Sequence, residues 1–120
     1  MKTGVWCDVH KVTDNSFKNS ELANIKSFYS YIEDFTGLKP RTAVLHSWEP
    51  ISTDIYESWP GTADILEMFP TDDPKARDRA IDLLRTDENI DIIYLHLRYP
   101  DTFGHIFGFN TDVPEYSTAV

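Results

Sequence analysis

Between Ser20 and Gly37 the chain reads SELANIKSFYSYIEDFTG, with Leu22, Ile25, Phe28 or Tyr29, Ile32 and Phe35 recurring at helical spacing. That period gathers apolar side chains on one stripe of an α-helix, with Ser20 suited to cap its start and Gly37 its end. Lys39-Pro40 breaks the pattern, because proline cannot continue a helix and biases its predecessor toward extended backbone. The run Thr42 to Trp48, ended by Pro50, then predicts a short strand paired in a central sheet. From Ile51 to Thr71 periodicity is poor apart from the apolar cluster Ile65-Leu66-Met68-Phe69, and Trp59-Pro60-Gly61 and Phe69-Pro70 punctuate the segment, which reads as loop.

Asp73-Pro74 supplies an N-cap and a proline at the first helical position, and Ala76, Ala80, Ile81 and Leu84 follow on one face, predicting a helix from about Pro74 to Thr86. After Asn89, the run Ile90 to Arg98 is rich in apolar and β-branched residues and suits a central strand covered on both faces. Helix, strand, loop and again helix, strand, loop is the signature of an α/β layered sheet with flanking helices. No repeat, low-complexity tract or Gly/Ser linker divides residues 1–120, so the chain reads as a single domain.

Composition narrows the function. With 41% hydrophobic and 13% aromatic residues among 120, there is ample material for one core and no compositional case for disorder. Eleven Lys plus Arg against 20 Asp plus Glu give a net charge of −9, the wrong sign for general nucleic-acid binding. No run is long and apolar enough for a membrane span, and MKTGVWCDVH lacks the apolar core of a signal peptide. The single cysteine, Cys7, rules out an internal disulfide and a cysteine-rich zinc module, and reads as a small buried hydrophobe rather than a nucleophile.

The loop expected after the second strand, Tyr99 to Gly108, carries Asp101 and His105. Ligands of open α/β sheets gather beyond the carboxyl ends of strands. A carboxylate and an imidazole four residues apart can converge on one side of a turn, and that oxygen-plus-nitrogen pair suits a divalent ion such as zinc. Gly104 and Gly108 would let the backbone turn tightly around the pair. The spacing is equally open to a capping aspartate beside an ordinary surface histidine. Asp14-Asn15-Ser16 reads on its own as a turn. His10 suits a turn cap or a support for the Asn15 loop, His46 a packed position, and His96 a strand position that contacts substrate if it faces the site. Trp48, Trp59 and Tyr99 read as cover for the core or as walls of a pocket. Asp72-Asp73 is a helix-start signal, and Asp78, Asp82 and Arg85 are solvated-face charges.

The segment DIIYLHLRYPDTFGHIFGFNTDVPEY closely resembles the hydrophobic strand and PD-x-x-GH-x-x-G motif of type I phosphodiesterases and nucleotide pyrophosphatases, in the alkaline phosphatase superfamily. TGVWCDVHKVTDNSF is similar to that family's TG-x-x-x-x-x-HG-x-x-x-N-S-[FM] segment, and the two occur in the family's order. The resemblance implies part of an alkaline phosphatase-like domain. It implies a hydrolase with two divalent metal ions, usually zinc, that cleaves phosphodiester, phosphomonoester or pyrophosphate bonds through a covalent intermediate on Thr or Ser. On its terms Asp101 and His105 are two ligands of one metal ion, and Asn15 donates to a non-bridging phosphate oxygen. Its substrate is a small phosphate ester or a nucleotide, and a periplasmic or secreted parent is implied.

The chain departs from the family pattern at Lys11, where many relatives have glycine. By the same resemblance the nucleophile and the first metal-binding aspartate fall upstream of Met1, and an Asp-His ligand pair and a last histidine fall past Val120. The expectation is therefore an internal fragment of such a hydrolase, inactive alone, whose sheet exposes edge strands. A non-catalytic α/β binding or interaction domain is the alternative.

Overall fold

The computed structural model describes residues 3–120. Its centre is a three-stranded parallel sheet with strand order β2-β1-β3, where β1 is Thr42–His46, β2 Ile65–Met68 and β3 Ile92–His96. Every residue of β1 is buried, which marks it as the central strand. The run from Ile90 is not central but an outer strand, half-buried along its length. Both runs are apolar enough to lie inside a sheet, and only the pairing decides between them.

Alternation along β1 and β3 sends side chains to two cores. On one face Val44 packs with Tyr29, Ile51 and Tyr56, with Ile92, Tyr94 and Trp48 at its margin. On the other, Ala43 and Leu45 pack with Ala80 and Leu83, joined by Ile65, Ile93 and Leu95. Helices or turns cover both faces, so the chain is a mixed α/β layered structure with flanking helices.

The helices are α1 (Cys7–His10), α2 (Phe28–Thr36), α3 (Asp73–Thr86), α4 (Tyr99–Phe107) and α5 (Pro114–Ala119). The first long helix is shorter than its apolar period predicts. Ser20 does not cap it; the buried Ser27 does, accepting the Ser30 amide at 3.2 Å, and Gly37 ends it at φ 69°. Upstream, Leu22–Asn24 forms a single 3₁₀ turn and Ile25 is extended. The reason is a distant tryptophan. Trp59 Nε1 donates to the carbonyls of Leu22 and Ile25 at 2.9 and 2.8 Å, and the Leu22 carbonyl also accepts the Ile25 amide at 3.0 Å, which holds this stretch as one tight turn followed by extended backbone. Of the predicted stripe, Leu22 and Tyr29 are buried, whereas Phe28 and Phe35 are exposed.

The expected loop from Ile51 to Thr71 is more ordered than its poor periodicity suggests. Ile51–Tyr56 is a π-helical turn that buries its two end residues, and Ile65–Met68 is strand β2 in register with Ala43 to His46. The Tyr56 hydroxyl donates to the Tyr29 hydroxyl at 2.7 Å, and burial holds both phenols above their ordinary pKa and hence neutral. In α3 the cap is Asp72, whose carboxylate accepts the Lys75 amide at 3.1 Å, and the buried face is Asp73, Ala76, Ala80 and Leu83. The predicted members Ile81 and Leu84 point to solvent, one step around the helix from the true stripe. Cys7 is exposed on α1, because that short helix buries none of its residues.

Trp59→Phe keeps an aromatic ring, though a smaller one, and removes the donor that serves two carbonyls. Denaturant unfolding is expected to show a loss of about 1–3 kcal/mol, with amide exchange near Leu22 to Ile25 rising most. Unchanged stability would show that the indole N–H does not anchor this segment.

Candidate functional site

The carboxyl ends of β1 and β3 lie side by side, since His46 is paired with His96. Beyond them the chain leaves β1 through Ser47 and Trp48 and leaves β3 through Leu97 and Arg98 into α4. The segment Tyr99 to Gly108, expected as loop, is helical up to Phe107. Pro100 sits in its first turn, where a missing amide hydrogen costs nothing, and Gly108 ends it at φ 109°. Gly104 is therefore not a turn residue. The ring of Phe109 packs over it so closely that an added Cβ would lie 2.2 Å from Phe109 Cε1.

The start of α4 is held by a buried carboxylate. Asp73, 5% exposed, accepts the Arg98 amide at 3.0 Å and the Tyr99 amide at 2.5 Å, and the Ser47 hydroxyl donates to it as well. Ser47 Oγ in turn accepts the Arg98 amide at 3.0 Å. Burying a charge is costly unless donors surround it, and here three donors do so. Asp73 thus ties together the end of β1, the start of α3 and the start of α4. Only its neighbour Asp72 acts as the helix-start signal that the pair Asp72-Asp73 suggests.

On α4, Asp101 and His105 are one turn apart, with Asp101 Oδ1 3.5 Å from His105 Nε2. Both side chains are 70% exposed, so the contact contributes little to stability and both groups are open to a ligand. The His105 ring lies edge-on to Phe109 at 5.2 Å. Asp101 lines a cleft of about 360 Å³ with Asn15, Trp48, His96 and Arg98. The cleft brings Asn15 and Asp101 to one place although 86 positions separate them in the chain. His105 meets the cleft through Asp101.

Asn15 is presented by a turn. The Ser16 amide donates to Asp14 Oδ1 at 2.8 Å, and the hydrogen bonds from Ser16 hold the Asp14 carboxyl below its ordinary pKa. The surrounding backbone is strained: Lys11, Phe17 and Asn19 adopt φ of 58°, 51° and 62°, a region that costs roughly 1 kcal/mol or more per non-glycine residue. Lys11 is the position where the resembled motif has glycine, and its left-handed backbone is the conformation glycine accepts most readily. His10 Nδ1 accepts the Val12 amide at 3.0 Å, the turn-supporting role open to it from sequence. The Phe17 ring lies 6.2 Å from Trp48 and holds the segment against the strand ends.

A second pocket, of about 260 Å³, adjoins the cleft and shares Trp48 and His96 with it. Its walls are largely apolar and aromatic: Phe17, Leu22, Ile51, Trp59 and Tyr94. Trp48 stacks on His96 at 5.9 Å and 27°, so one flat pair separates the polar from the apolar compartment. His46 is fully buried, and its Nδ1 donates to the Trp48 carbonyl at 2.8 Å, which fixes the turn after β1. Trp59 is buried and also lines the apolar pocket, Trp48 lines both spaces, and the Tyr99 hydroxyl donates to the Thr71 carbonyl at 2.8 Å.

Among the described residues no three His, Cys, Asp or Glu side chains are grouped closely enough to hold a metal ion. Asp101 and His105 together offer one carboxylate and one imidazole nitrogen at the site. No helix among the described residues is long and apolar enough to cross a membrane. The chain matches no protein-family model, no curated protein and no solved structure. Sequence reasoning missed Ser47, Asp73 and Arg98. The first two meet only through tertiary contact, and Arg98 follows a strand without any motif of its own.

Asp73→Ala leaves the Tyr99 amide without its acceptor, the Arg98 amide with Ser47 Oγ as its one remaining acceptor, and the Ser47 hydroxyl without its carboxylate. The expected cost is about 3 kcal/mol, with hydrogen exchange at Arg98 and Tyr99 accelerated beyond the global change. Protection of those two amides at the wild-type level would refute the anchoring role.

Proposed function

We propose that the chain is part of a metal-dependent hydrolase of phosphate esters, related to the type I phosphodiesterases and nucleotide pyrophosphatases and built on an alkaline phosphatase-like domain. The observation that carries this reading is the meeting of Asn15 and Asp101 in one cleft at the strand ends, with His105 one helical turn from Asp101. Those are the three positions that the resemblance puts at a phosphoryl centre.

In this reading Asp101 Oδ and His105 Nε2 hold one divalent cation, zinc by donor chemistry. By the resemblance a second cation and a nucleophile would complete the site, and residues 1–120 match none of the positions that would supply them. Bound metal ions supply neutralisation of the attacking and leaving oxygens. The chain's own contribution is positional. The Asn15 amide donates to a non-bridging phosphoryl oxygen, where charge grows in the transition state. Trp48 and His96 divide that polar site from the adjoining aromatic pocket, which has the shape and polarity for the apolar part of a nucleotide or another small ester.

The alternative is a non-catalytic α/β binding or interaction domain. Zinc titration decides between them. Calorimetry on the 120-residue chain is expected to detect zinc binding, with perturbation of the His105 imidazole in proton NMR. Asp101→Asn combined with His105→Ala is expected to weaken that binding by about tenfold or more. Zinc affinity unchanged in the double variant would remove the metal reading and leave the binding domain. The chain alone is expected to show no turnover of a nitrophenyl phosphodiester, and zinc-dependent turnover abolished by His105→Ala would overturn the fragment reading.

A further inference from the structure

Arg98 stands apart from the other arginines. The chain carries 20 acidic against 11 basic side chains, and most guanidinium groups find a carboxylate. Arg41 pairs with Asp87 at 2.7 Å, Arg77 with Asp78 at 2.7 Å, and Arg79 with Glu67 and Asp82 at 3.0 and 2.8 Å. Arg85 lies on the solvated face of α3. Arg98 is half-buried in the wall of the cleft, and among the described residues no carboxylate lies within ion-pair distance of it, although Asp101 lines the same space. A half-buried guanidinium that ignores a chain so rich in carboxylates is available for an anion from solution.

The two leading amides at the entry to α4 cannot take that role. The Arg98 and Tyr99 amides at the start of α4 already serve Asp73 and Ser47, so the helix start is neutralised from within. Among the lining residues Arg98 alone carries a permanent positive charge, with the Asn15 amide as a neutral donor. Asp101, in the same wall, repels an anion. The net charge of −9 adds a general repulsion that only a local cation overcomes.

We infer that Arg98 is an anion-binding residue that selects a dianionic phosphoryl group, a phosphomonoester or the terminal phosphate of a pyrophosphate, over a monoanionic diester. The inference rests on the proposed phosphate-ester function and names its substrate class. The guanidinium presents two parallel N–H donors that match two oxygens of one phosphoryl group. A monoester or terminal phosphate has three such oxygens sharing two charges, whereas a diester has two oxygens sharing one. The second charge is what an unpaired arginine rewards.

The test uses the metal-free chain and two probes that differ by one methyl group, methyl phosphate and dimethyl phosphate. At about pH 8 the first is a dianion, because the second phosphate pKa is near 6. Calorimetry is expected to give a preference for methyl phosphate of about tenfold. Arg98→Gln is expected to abolish that preference, and Arg98→Lys to retain part of it, since lysine keeps the charge and loses the fork. Equal affinity for the two probes in the wild-type chain, or an undiminished preference in Arg98→Gln, would overturn the assignment. No metal is present, so this outcome is independent of the zinc titration. Loss of zinc binding without loss of anion selectivity, or the reverse, separates the two readings.

Discussion

The cleft depends on one buried carboxylate. Asp73 lies where three segments distant in sequence converge: Ser47 after β1, Asp73 itself in the first turn of α3, and Arg98-Tyr99 at the entry to α4. A carboxylate in such a place would be destabilising by several kcal/mol if its oxygens lacked partners. Its donors are a hydroxyl and the two amides that a helix start leaves without internal acceptors. The same charge complements the positive end of the α4 dipole. The junction therefore satisfies polar groups on three elements at once, and it sets where α4 begins. Once that point is fixed, Asp101 and His105 have defined positions one and two turns along the helix.

The second constraint is the sheet. β1 contributes a side chain to each core in turn, with Val44 toward Tyr29 and Tyr56 and with Ala43 and Leu45 toward Ala80 and Leu83. A strand buried on both faces cannot slip register without exposing one apolar set, so the pairing of His46 with His96 is strongly specified. That pairing aligns the two carboxyl ends from which Trp48 and Arg98 emerge. The wall of the cleft follows from β register, and its helical side follows from Asp73.

Legibility in the sequence tracks how local each determinant is. β1, β3 and α3 were readable because apolar runs, β-branched residues and Asp-Asp-Pro act over a few neighbours. The start of α2 was not, because Trp59 donates to the Leu22 and Ile25 carbonyls from 37 and 34 positions away. β2 lacked a signal because four residues of alternating burial at a sheet edge are too short for periodicity to show. α4 is the instructive miss: Tyr99-Pro100-Asp101 carries the same early-proline signal as Asp73-Pro74, yet ends of strands invite a loop reading. At the site, the family resemblance puts Asn15 beside Asp101, and both line one cleft, while the four-residue spacing alone puts Asp101 and His105 on one side of a turn. It could not anticipate Ser47 and Asp73, whose function is to position others, nor the rotation of the α3 stripe from Ile81 and Leu84 to Leu83.

Net charge is a poor guide to what this cleft accepts. At −9 the surface as a whole repels anions, but the field inside a partly enclosed space is set by the few groups that line it. Those groups are one arginine, one aspartate, one amide and a stacked Trp-His pair. Asp101 and Arg98 lie three positions apart around the start of α4, one suited to a cation and the other to an anion. They do not pair with each other in the structure, which leaves both side chains open to the cleft. Asp73 is what makes this separation stable: by taking the Arg98 amide it fixes the backbone of Arg98 at the helix start while leaving the side chain to the cleft. Two oppositely charged side chains kept apart at one helix start need their backbones held rigidly, and a buried acceptor beneath them meets that need.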